Sequence, residues 1–150
     1  DAPPERPLAF RYPGVVLFDA GRLGALRLAW PEGPEDAPPD WLVLAGEIRR
    51  AAVPEAELAR DPAAISLAEV GLGDVAPEGF VARFCRHLMA EIDEWQNVGF
   101  KGVGQRYLQR LEGARTGLRG IEANGDLVVQ ADGARVRTDF VAALTEGASS

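Results

Sequence analysis

Residues 11–30, RYPGVVLFDAGRLGALRLAW, decide how this chain folds. Val15-Val16-Leu17-Phe18 is a short β-branched and aromatic run bounded by turn residues, the composition of a strand. Asp19-Ala20-Gly21 follows as a hairpin loop, with Gly21 the natural residue for a positive φ. Leu23 to Trp30 returns as the partner strand. Its alternation puts Gly24, Leu26, Leu28 and Trp30 on one face and Ala25, Arg27 and Ala29 on the other. Upstream, Leu8 to Tyr12 starts a strand that breaks at Pro13-Gly14, and the proline-rich DAPPERP before it is expected to be extended.

Downstream of the hairpin, Pro31 to Pro39 is a loop, since its prolines and glycine suit neither helix nor strand. The continuous run Trp41-Leu42-Val43-Leu44 reads as an interior strand covered on both faces. Pro54 to Val70 reads as helix turns and loop, broken at Pro62. Pro77 then suits a helix N1 position. Phe80, Phe84, Leu88, Ile92 and Trp95 recur at helical spacing through Asn97, and Gly99 ends that helix. A second helix is expected over about Lys101 to Leu111, with Val103, Tyr107 and Leu111 on one face. The tail returns to β character. Asn124-Gly125 and Asp132-Gly133 are two type I′ hairpin signals flanking LVVQ, which predicts a small curled sheet or SH3-like barrel. Sheet, then helices, then a small β module is an α+β order. The expected division is 1–113 for the sheet with its packed helices and 114–150 for the β module.

The formal net charge of −7 and the scattered arginines argue against nucleic acid or an anionic membrane surface as partner. One cysteine, Cys85, excludes an internal disulfide framework and fits a reducing, cytoplasmic compartment. With His87 the only histidine, a zinc site would need several carboxylates, so no metal site is expected. No run of about twenty apolar residues is present to span a membrane, and no secretory signal pattern is seen. The sequence begins at Asp1 rather than Met.

Hydrolase chemistry needs a Ser or Cys beside a His. Ser66, Ser149 and Ser150 sit in no nucleophile turn, and Cys85 and His87 point in different directions on a helix. Cys85 reads as a small core residue and His87 as a surface or interhelix residue. Glu91, Asp93 and Glu94 read as a solvated helix face. The glycines at Gly71 and Gly73 and from Gly99 to Gly104 lack the spacing of a phosphate cradle. The aromatic stripe Phe80, Phe84 and Trp95 reads as core.

The 11–30 hairpin resembles the core hairpin of biotin- and lipoate-protein ligases, which carry a pattern like KWPNDhhhDGRKLAGIL (h apolar) and a later strand like hhhGIGhN. Arg11-Tyr12-Pro13 stands for Lys-Trp-Pro, Asp19 opens the turn, and Leu23-Gly24-Ala25-Leu26 stands for Leu-Ala-Gly-Ile. Trp41 to Arg49, WLVLAGEIR, stands for the later strand, with Gly46 near one of its glycines. EIDEWQNVGF followed by KGVGQRYLQRL looks like the family's helices, and GIEANGDLVV with DGARVR like its C-terminal SH3-like module. The match is strongest to ligase-like proteins that read RLAWP (Arg27 to Pro31) and then PDWLV (Pro39 to Val43).

The resemblance implies a partial class II synthetase-like, biotin/lipoate ligase-like sheet followed by the SH3-like module. It implies binding of an acyl carboxylate or acyl-adenylate, with ATP and biotin or lipoate/octanoate as ligands, and transfer to a lysine of a biotinyl or lipoyl carrier domain. A carrier-domain or self-association interface, as in a homo-oligomer, would be the natural partner of a non-catalytic module on this scaffold. Arg22 takes the place of the catalytic lysine, keeping a positive charge with a different, forked geometry. Gly24, Ala25, Arg27, Gly46 and Arg49 are the implied ligand-binding positions. Departures are clear: the Asn-Asp of the pattern is Gly14-Val15, and the later Asn is Arg49. In the family a glycine- and arginine-rich adenylate loop precedes the hairpin, and roughly a further half-domain lies upstream. The alternative reading is a non-catalytic binding or assembly module that keeps the ligase-like scaffold.

Overall fold

The hairpin forms where alternation puts it, and two more strands extend it into a sheet. In the computed structural model, which describes residues 8–34, 37–113, 118–131 and 133–147, the order of elements is four strands, three helices, three strands and a helix. Strands β1 (Leu8–Arg11), β2 (Val15–Phe18), β3 (Gly21–Ala29) and β4 (Val43–Ile48) form an antiparallel sheet in sequence order. DAPPERP, Asp132 and the Ser149-Ser150 pair lie outside the described residues.

The β2–β3 turn differs from its sequence reading. Asp19 (φ 50°) and Ala20 (φ 63°) take the left-handed conformations, and Gly21 does not; it already pairs with Phe18 as the first residue of β3. A two-residue hairpin of type I′ needs both central residues at positive φ to match strand twist. Gly21 serves space instead: a Cβ there would lie 2.7 Å from the Ile65 Cγ2. Two residues on, the pairing register shifts between Val16 and Leu17, so Leu23 is the extra residue of a β-bulge. The bulge brings Leu23 to the core side, where it is buried with Val16, Phe18 and Leu67. Leu8, Phe10, Leu26, Ile48, Ile65 and Val70 pack around that cluster.

The run 41–44 is not a covered interior strand. β4 pairs only with β3, and Trp41, Leu42 and Val43 are each about half exposed or more (51%, 56% and 52%). Apolar content alone does not tell a two-sided strand from an edge strand whose second face meets no layer among the described residues. The short α1 (Glu55–Leu58) and the loop after it return the chain to the hairpin turn.

The long helix α2 (Pro77–Val98) starts with Pro77 at its first turn, as expected, and ends at Gly99, whose φ is 96°. Gly99 also caps α3 (Phe100–Arg110). The apolar stripe is present but is not core: α2 contains no buried residue, and Phe80 and Trp95 are exposed. Cys85 is exposed as well, not a core residue. Helix α3 is half the length of α2 and covers only its C-terminal part, through the Trp95–Phe100 ring contact and ion pairs of Arg106 with Glu91 and Glu94. Two of the three acids read as a solvated face therefore hold the helix pair together. No helix among the described residues is long and apolar enough to cross a membrane.

The C-terminal strands β5 (Leu118–Ile121), β6 (Leu127–Ala131) and β7 (Ala134–Thr138) form a three-stranded antiparallel meander. The Asn124-Gly125 turn is wider than type I′: Gly125 alone has positive φ, and its N–H donates to the Glu122 carbonyl at 2.9 Å. Helix α4 (Phe140–Gly147) follows and was not expected from the sequence. Asp139 caps it, accepting from the Ala142 N–H at 2.7 Å.

The meander docks on the first sheet through named contacts. Tyr12 donates to the Gly125 carbonyl at 2.9 Å, and Trp30 stacks on Phe140 at 6.4 Å. Tyr107 of α3 stacks on Phe10 of β1 and donates to the Pro13 carbonyl at 3.1 Å. Gly104 lets α3 approach β5, since a Cβ there would lie 2.7 Å from the Ile121 Cγ2.

Candidate functional site

The residues singled out by the hairpin reading fall at one sheet region, on β3 and β4. The register pairs Gly24 with Ile48, Ala25 with Glu47, Leu26 with Gly46 and Arg27 with Ala45. The pleat then divides them. Gly24 and Gly46 share the face of Leu26 and Ile48, where Gly24 is buried and Gly46 is exposed. Ala25 and Arg27 lie on the opposite face with Glu47 and Ala45. Gly24 is not an opening for a ligand: a Cβ there would run into the Glu47 carbonyl oxygen. Its smallness lets β3 and β4 approach.

Arg22 sits at the turn end of β3 and is held from three directions. Its N–H donates to the Ala63 carbonyl at 2.6 Å, and its carbonyl accepts from the Ile65 N–H at 3.1 Å. Its guanidinium grips Asp61, with Nε at 2.8 Å from Oδ2 and Nη2 on the same oxygen. Arg49 reaches the same place from the end of β4. Its Nη1 donates to the Arg22 carbonyl at 3.2 Å and its Nε to the Glu57 Oε1 at 2.8 Å. Arg22 and Arg49 are thus neighbours, and each carries a carboxylate partner.

Asp61 and Glu57 were not among the residues singled out from the sequence. Their signal was present in EAELARD, where acids precede and end a short helical turn, but nothing local indicates that the turn folds back onto the hairpin. Arg27 is exposed on the outer face, away from that pair. Among the described residues no group of three His, Cys, Asp or Glu side chains could hold a metal ion.

What the arrangement can do chemically follows from its charges. Two guanidiniums at one strand end present forked donors suited to carboxylate or phosphate oxygens. Any such ligand competes with, or shares, Asp61 and Glu57.

Residues 1–109 match the biotin/lipoate A/B protein ligase family. Among solved structures the chain is similar to a biotin protein ligase-like protein of unknown function from Silicibacter sp. TM1040, with a TM-score of 0.73 and 21% identity. That likeness covers 97% of this chain and 64% of the other, so the chain spans just under two thirds of its neighbour's length. No curated protein matches.

Proposed function

The chain belongs to the biotin/lipoate A/B protein ligase family, and from that membership we propose that it binds an acyl carboxylate or acyl-adenylate at the turn end of β3 and β4. The observation that carries this reading is the juxtaposition of Arg22 and Arg49, joined through the Arg22 carbonyl. In the proposed role, Arg22 stands for the lysine of the family pattern and stabilises charge that builds on the carboxylate and phosphate. ATP and biotin, lipoate or octanoate are the proposed ligands, and the lysine of a biotinyl or lipoyl carrier domain the proposed acceptor. On the same reading, residues 1–113 are the ligase-like part, and the meander with α4 stands where the family's SH3-like module stands.

Titration calorimetry with biotin, lipoate, octanoate and their non-hydrolysable acyl-adenylates tests the reading. At least one should bind more tightly than about 1 mM, and Arg22→Ala should weaken it about tenfold, the scale of a charge-assisted hydrogen bond. No binding by any of them to the folded protein sinks the proposal.

A second reading, a non-catalytic binding or assembly module, is favoured by the Arg22–Asp61 pair, because a guanidinium already neutralised has less charge to offer. It predicts adenylate binding without ATP–pyrophosphate exchange. Measurable exchange that disappears in Arg22→Ala excludes it.

A further inference from the structure

A groove of about 560 Å³ opens between the end of β3 with the loop after it and α4. Leu28, Trp30, Val141 and Leu144 supply its apolar walls, and Glu32 and Thr145 its polar side chains. Trp30 is fixed by its stack on Phe140, with 6° between the ring planes, yet it remains 37% exposed. An aromatic surface is therefore packed against α4 and still open.

The polar groups of this groove are acceptors. Glu32 is a carboxylate with no ion pair among the described residues, and no basic residue lines the groove. Thr145 spends its hydroxyl proton on the Val141 carbonyl at 3.0 Å, which leaves its lone pairs to receive a donor. The sequence that follows, Gly33 to Asp40, carries three further acids and no base. A ligand here must bring donors and positive charge, along with apolar surface to lie on Trp30 and Leu144. An anion would meet only repulsion.

We propose that this groove binds an alkylammonium group on a short apolar stem. The ammonium meets Glu32 and the Thr145 oxygen, and the stem runs along the indole, where the ring face also attracts a cation. The groove lies about 25 Å along β3 from Arg22, at the rise of an extended strand. It is therefore separate from the acyl site, and its test does not depend on acyl binding.

The three tryptophans give three indole N–H resonances, and Trp30→Phe identifies that of Trp30. Titration of the full chain with n-pentylamine should move the Trp30 resonance saturably, and pentanoate should not. Glu32→Gln should weaken pentylamine about two- to fivefold, the scale of an exposed charge pair. Leu144→Trp, which fills the groove, should abolish the shift while the other resonances keep their folded positions. A lysine side chain of a protein and a free amine share this chemistry. Binding of Nα-acetyl-lysine methylamide at least as tight as pentylamine identifies the former, and binding of pentylamine alone the latter. Equal binding of n-pentanol, binding of pentanoate, or an unchanged affinity in Glu32→Gln overturns the proposal.

Discussion

Ala20 is the residue most at odds with its own backbone. It holds φ at 63°, a region that costs an L-residue about 1–2 kcal/mol and costs glycine little. Ala20→Gly should therefore raise stability by about 0.5–1 kcal/mol in urea unfolding, the strain relief outweighing the extra freedom of the unfolded glycine. Gly21→Ala should do the reverse, because the neighbouring glycine is committed to the close approach of Ile65. The two tyrosines are also marked by their surroundings. Burial pushes the Tyr12 phenol up to about 12 and raises that of Tyr107 as well. A group whose folded pKa is raised favours the protonated native state. That stability is fully present below the ordinary value of 10.0 and is lost as pH climbs through about 12. Absorbance at the phenolate band should show neither tyrosine ionising at its ordinary midpoint; a full-amplitude transition there would mean that the two phenols are not packed as described.

At the scale of elements, one carboxylate ties the start of α4 to the meander. Asp126 is buried at 2% exposure, accepts from the Phe140 N–H at 2.8 Å and pairs with Arg137. The Phe140 N–H, then Asn124 and Arg137, hold its pKa below the ordinary carboxylate value. The sign follows from linkage: a depressed pKa gives stability that is present above the unfolded value and vanishes as pH falls through the folded one. Hydrogen exchange at Phe140 should accelerate as pH drops below the ordinary aspartate range, after correction for intrinsic rates. Asp126→Asn should accelerate it at neutral pH and flatten the acid limb. An acid limb unchanged by that substitution would assign the effect to another group. The junction glycine Gly104 makes a matching case: Gly104→Ala should destabilise by about 1–3 kcal/mol through overpacking against Ile121, despite alanine's better helix propensity.

Across the whole molecule, burial is uneven. The buried cluster sits between β2, β3 and the loop around Leu67, whereas α2 leaves Phe80, Val81, Met89, Trp95 and Val98 exposed. Local stability follows buried apolar contact. Amides of β2 and β3 should exchange most slowly, and those in the N-terminal half of α2, beyond the reach of α3, should exchange fastest among the long elements. Uniform protection across α2 would show that another surface covers it in solution. The hairpin, the presence of strands before and after it, the two helices and the three C-terminal strands were legible in the sequence, because alternation, helical spacing and glycine turns are local signals; the place of β4 at the sheet edge was not. Arg22 and Arg49 were each named through the family pattern, but nothing in the sequence states that they meet. The tertiary structure alone decided the rest. It showed which face of β3 packs on the buried cluster, and that the smallness of Gly24 serves the approach of β4 rather than a ligand. It set Asp61 against Arg22 across 39 residues, and built a groove from Trp30 and α4, a helix with no anticipated partner. The physical reason is the same each time: sequence periodicity states which side of an element is apolar, and only the folded chain states what meets it.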